Sequence, residues 1–204
     1  MTMLDRLRYL DNNLWLWARV NAAARWDLAR ARRDPARAAE RFRDVTRYCT
    51  FVGHQRSAHS VVGSILDAHP NAAISHRLDA LKYVERGCTP DEVFSMIARN
   101  SERFARSGRH LTAYSYALPG QGTAARLTVI GDQEGQHSSA RLRARPDLVR
   151  RFLAPRSTRA SFIHVVRNPF DNIATIANRT QLPLRALIDG YFELCEGVVA
   201  VKET

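Results

Sequence analysis

Residues 50–70 read Thr50-Phe51-Val52-Gly53-His54-Gln55-Arg56-Ser57-Ala58-His59-Ser60-Val61-Val62-Gly63-Ser64-Ile65-Leu66-Asp67-Ala68-His69-Pro70. The apolar start predicts a buried strand, the polar middle a tight loop, and the periodic apolar residues after it an amphipathic helix. That order makes an anion-binding device. The first N–H groups of the helix, near Ser57 to Val61, have no intrahelical acceptor, and the helix dipole puts partial positive charge there. Arg56 adds a fixed charge, so a ligand bearing phosphate or sulfate is expected.

Outward from this stretch the pattern repeats. Short apolar runs at Tyr48–Val52, Ala72–Ser75, Leu111–Leu118, Leu127–Ile130 and Phe162–Val166 alternate with helical stretches. Several are too continuous for a half-exposed antiparallel sheet. The fold class expected is α/β, a P-loop-like, mostly parallel sheet flanked by helices, with an N-terminal helical arm over residues 1–47 and the α/β domain over 48–204. In the arm, Leu4, Leu7, Leu10, Leu14 and Trp17 mark an amphipathic helix running toward Ala31, and Asp34-Pro35 reads as an N-cap with proline at the first helical position. Ala38, Phe42 and Val45 then face inward. The Pro119–Gly122 and Gly131–Ser139 segments read as loops, and an apolar helix runs from Leu184 to Val201. In an open parallel sheet, ligands gather beyond the carboxyl ends of the strands. The loop after Val52, the Gly131-Asp132-Gln133-Glu134 segment and Arg167-Asn168-Pro169-Phe170-Asp171 are therefore expected to share one crevice.

Composition narrows the class. The 204 residues suit one domain with a real core, and 45% hydrophobic with 25% charged residues is an ordinary globular mix. The net charge of +11 is almost all arginine, Lys82 and Lys202 being the only lysines. Such a field attracts anions. The basic face of the arm reads either as a membrane-surface or partner contact or as a solvated face of a packed helical pair. Cys49, Cys88 and Cys195 have no disulfide or zinc spacing, and no metal is expected. Interleaved aromatics and an RNA-binding signature are lacking, so nucleic acid is not the expected partner. The N-terminus lacks the uninterrupted apolar run of a signal peptide or spanning helix, which makes the cytoplasm the expected location.

The loop is not a nucleoside-triphosphate P-loop. In the GxxxxGK[ST] register, Gly53, Ala58, His59 and Ser60 keep only the first glycine and the final hydroxyl. The stretch from Phe51 to Val62 instead resembles the 5′-phosphosulfate loop of the sulfotransferases, Arg/Lys-Ser-Gly-Thr/Ser-Thr/Ser followed by apolar residues. Leu66-Asp67-Ala68-His69-Pro70 is most similar to the protein-tyrosine sulfotransferase branch and related bacterial proteins. Phe162-Ile163-His164-Val165-Val166-Arg167-Asn168-Pro169, with Thr175 eight positions after the arginine, resembles the family's 3′-phosphate segment. Arginine and hydroxyl, two helical turns apart, can clasp one phosphate.

The resemblance covers Tyr48 to about Ala177 and implies 3′-phosphoadenosine 5′-phosphosulfate as sulfonate donor. Arg56, Ser57, Ala58, His59, Ser60 and Val61 would hold its 5′ end, and Arg167 and Thr175 its 3′-phosphate. The acceptor would be a hydroxyl or amine on a small molecule, peptide or carbohydrate, and no metal takes part. Arg56 would have the catalytic role of meeting charge on the leaving phosphate. The family's catalytic glutamate falls at Arg77, which cannot act as a base. His76 is the expected general base, with His54 and His59 as further candidates. Gln133 stands where relatives often have lysine, and the chain stops soon after its apolar helix, so a divergent or C-terminally truncated member is expected. Two alternatives stay open: a P-loop-type phosphotransferase using Gly53, Ser60 and Asp132, and a catalytically degenerate binding protein.

Overall fold

The computed structural model describes residues 3–108, 110–111 and 114–202. Its first element, α1 (Met3–Arg33), is a 31-residue helix, and Asp34 then caps α2 (Pro35–Arg41), its carboxylate accepting the Arg37 N–H at 3.0 Å. As the sequence predicts, Ala38, Phe42 and Val45 are buried. The chain then enters β1 (Arg47–Val52), α3 (His59–Asp67) and β2 (Ala72–Ser75), followed by α4 (Ala80–Glu85) and α5 (Pro90–Arg106). Helix α5 starts on a full capping box, Thr89 and Glu92 satisfying each other's backbone N–H groups. A two-stranded antiparallel ribbon, β3 (His110–Leu111) with β4 (Tyr114–Ser115), precedes β5 (Val129–Asp132). After it come α6 (Gly135–Ala144), α7 (Leu148–Leu153), β6 (Arg159–His164), α8 (Pro169–Thr180) and α9 (Leu184–Lys202).

Strands β2, β5, β1 and β6 form, in that order, an all-parallel sheet flanked by helices. The P-loop-like α/β class expected from the sequence is therefore present. The core sits between the sheet and the helical layer of α5 and α7, where Tyr48 stacks on Phe94 at 6.0 Å and Phe152 meets Tyr48 edge-on at 5.6 Å.

Three strand boundaries differ from the sequence reading. The run 111–118 is not a strand of the main sheet: it gives only the short ribbon, with Thr112 and Ala113 outside the described residues. Ser115, Ala117 and Leu118 are exposed, which does not suit a strand buried on both faces. Strand β5 extends through Gly131 and Asp132, read above as loop, and α6 begins by Gly135. Glycine is required at 131 because a Cβ there would lie 2.4 Å from the Cys49 carbonyl oxygen. Strand β6 ends at His164 rather than Val166, because its one partner, β1, stops at Val52 in the facing register.

Helix α9 packs on α6 at Gly197, where a Cβ would lie 2.5 Å from the Ser139 carbonyl oxygen. Among the described residues, no helix is long and apolar enough to cross a membrane.

Candidate functional site at the carboxyl ends of β5, β1 and β6

The parallel order places the ends of β5, β1 and β6 side by side, so the three polar segments singled out above lie on adjacent strands. Between β1 and α3 the chain turns at Gly53 (φ 104°), where a Cβ would collide with the His164 ring at 2.5 Å. Arg56 (φ 66°) and Ala58 (φ 72°) both take left-handed backbone, unusual for non-glycine residues. Ala58 is the N-cap of α3 and offers no side-chain acceptor, so the first N–H groups of that helix go uncapped by any side chain.

Four contacts fix the loop. Ser57 Oγ donates to the His54 carbonyl at 2.9 Å, and the Gly53 N–H donates to Ser139 Oγ of α6 at 2.7 Å. From the β6 side, Arg167 Nη1 donates to the Arg56 carbonyl at 3.0 Å and Asn172 Nδ2 to the Gln55 carbonyl at 2.8 Å. The two arginines named from sequence are thus brought to one loop. Arg167 makes no ion pair with Asp171 among the described residues. Thr175 lies half-buried on α8, its hydroxyl donating to the Asp171 carbonyl at 2.7 Å. His54 stacks on Tyr191 of α9 at 3.7 Å, with Nε2 placed 2.9 Å from the Tyr191 carbonyl oxygen.

His59, Ser60 and Val61 open α3, the Val61 N–H closing on the Ala58 carbonyl at 3.0 Å. Burial holds the His59 imidazole below its ordinary pKa; Arg77 and Arg56 add to this, while Glu134 and the His54 carbonyl oppose it. Arg77, reached from the end of β2, therefore contributes positive charge to the same cluster. Glu134 precedes α6 and accepts from His137 at 3.3 Å, which raises the His137 pKa.

His76 stands apart from this cluster, two strands away from β1. It is 3% exposed, its ring stacks on Phe104 at 4.2 Å, and its backbone N–H donates to Asn100 Oδ1 at 2.7 Å. Asp132 is equally buried, its two carboxylate oxygens accepting from Ser75 Oγ at 2.6 Å and from the Ala80 N–H at 2.7 Å. Burial pushes its pKa up to about 7. One oxygen is thus tied to the end of β2 and the other to the start of α4, which leaves this carboxylate poorly placed to serve a nucleotide-bound metal as a phosphotransferase would require. Gln133 packs under α3, and its Oε1 would lie 2.8 Å from a Cβ at Gly63. Among the described residues, no group of three or more His, Cys, Asp or Glu side chains could hold a metal.

Ser139 and Asn172 were not visible as site residues in the sequence. Ser139 belongs to no motif, while Asn172 lies within the segment that ends at Thr175, and its signal is its place three residues before that threonine, on one helix face. No protein-family model and no curated protein matches the chain.

Proposed function

We propose that this protein is a sulfotransferase, using 3′-phosphoadenosine 5′-phosphosulfate as sulfonate donor and a hydroxyl or amine as acceptor. The carrying observation is the Arg167 guanidinium seated on the carbonyl of Arg56, which joins the two motif arginines across adjacent strand ends. The uncapped start of α3 and the left-handed Ala58 support it, since the resembled loop has glycine at that position. In this reading Arg56 and the α3 N–H groups bind the 5′ end and Arg167 with Thr175 the 3′-phosphate. The acceptor oxygen attacks sulfur in line, the bond from sulfur to the phosphate oxygen breaks, and the acceptor proton passes to a base. Arg56 meets the charge that builds on the leaving phosphate, and no step needs a metal.

Two histidines compete for the role of base. His59 stands at the start of α3, and burial lowers its pKa, the direction that suits a base at neutral pH. His76 serves only if its ring turns away from Phe104. Calorimetry with adenosine 3′,5′-bisphosphate tests the donor site. The folded protein should bind it, and Arg56→Ala and Arg167→Ala should each weaken binding about 10- to 100-fold, as expected for lost hydrogen bonds to charged groups. Absence of binding, or binding indifferent to both changes, defeats the proposal.

A further inference from the structure

At the other end of the sheet, α1, α2 and α5 form an open cleft of about 390 Å³ whose walls carry the exposed Arg30, Arg37 and Arg41 and the half-buried Arg99, with Asp34 and Glu40 beside them. Ser95 of α5, 6% exposed, adds a hydroxyl to its lining. Arg41 also borders the depression beside Ala72 and Leu127, at the start of β2 and just before β5, which places the cavity away from the loop of Arg56. The acidic groups nearby are mostly committed elsewhere. Asp34 caps α2, Glu40 pairs with Arg43 at 2.5 Å, and Asp27 takes both guanidinium nitrogens of Arg103, leaving Arg99 at 4.0 Å. Arg41 has Glu102 at 2.5 Å, but Arg30 and Arg37 have no ion pair among the described residues. Burial lowers the Arg99 pKa and repulsion from Arg30 and Arg41 lowers it further, against Asp27 and Glu102. Like charges gathered in a cleft focus a field that an anion relieves.

The geometry points to a second anion site here, for a compact ligand carrying at least two phosphate or sulfate groups. Guanidinium forks from three helices suit the oxygens of such groups, and the volume admits a small ligand rather than a polymer chain. The ligand is either a soluble phosphoester or the headgroup of an anionic lipid, the shared chemistry being clustered phosphates. The site is independent of the donor reading. Two probes test it: inorganic pyrophosphate, titrated with adenosine 3′,5′-bisphosphate in saturating excess, and phosphatidylcholine vesicles containing phosphatidylinositol 4,5-bisphosphate. At least one should bind, and Arg30→Ala/Arg37→Ala should weaken that binding tenfold or more with its melting temperature retained. Arg56→Ala and the control Arg150→Ala/Arg151→Ala should leave it within twofold. Vesicle binding identifies a lipid headgroup and pyrophosphate binding a soluble ligand, and either result supports the site. It is overturned if neither probe binds, if the double variant binds within twofold of the parent, or if the control loses as much as the double variant.

Discussion

Along its β2 edge the sheet is sealed, and along its β6 edge it lies open. Every residue of β2 is buried, covered by α5, and the Asp67 carboxylate ties three elements together there, accepting from the Ile74 N–H at 2.5 Å and Ser101 Oγ at 2.7 Å. Among the described residues nothing comparable covers β6, none of whose residues is buried. Phe162 is 37% exposed, and beyond it Val166, Phe170 and Phe192 are exposed as well. The proposed donor site straddles this division: the Arg56 loop leans on the sealed half, while Arg167 and Thr175 come from the open one. Hydrogen bonds hold the loop from both sides, from Ser139 of α6 on one and from Arg167 and Asn172 on the other.

The largest test of that contrast is a pair of truncations. Phe94, wholly buried among Phe42, Tyr48 and Phe152, should cost about 3–5 kcal/mol when changed to alanine, and Phe162→Ala below about 1 kcal/mol, both read from denaturant unfolding. Equal costs would mean that β6 is as well supported as the aromatic core beneath α5.

A second test lies inside the sealed half. The folded state holds the Asp132 proton more tightly than the unfolded chain, its pKa being raised from 3.8 to about 7. Its stabilising contribution is therefore full below about pH 4 and lost as pH rises through about 7. Asp132→Asn, which keeps an acceptor for the Ala80 N–H, should flatten this dependence. Above pH 7 the variant should gain on the order of 1–3 kcal/mol on the parent, and the gain should vanish near pH 4 in thermal melts across that range. A parallel pH profile for both proteins would show that Asp132 is ionised at little cost.

The smallest effect belongs to the seam between the halves. Ala58→Gly relieves a left-handed alanine and should raise stability by about 0.5–1 kcal/mol, measured by chemical denaturation. A loss instead would mean that the alanine methyl packs usefully.

The strand, loop and helix around Arg56 were legible because backbone chemistry acts locally: an apolar run, a glycine that the turn requires, and a periodic helix. The adjacency of the three polar segments was legible too, since parallel strands place their carboxyl ends together. The end of β5 was not. Gly131 and Asp132 carry the chemistry of a turn, and only the Cys49 carbonyl and the buried partners Ser75 and Ala80 make them strand residues. The burial of His76 depends on Phe104, a residue of α5 that no local window connects to it. The arginine cavity, assembled from three helices, was equally beyond any single stretch of sequence.

Ser139 touches two distant parts of the chain through different atoms. Its hydroxyl takes the Gly53 N–H at the mouth of the loop, while its carbonyl lies against Gly197 in the last helix. The position of α9 is thus transmitted to the loop through a single residue, and again through the ring and carbonyl of Tyr191 on His54. Bulk introduced at Gly197 would act as a wedge whose far end is the anion cradle, although the two points share no sequence neighbourhood.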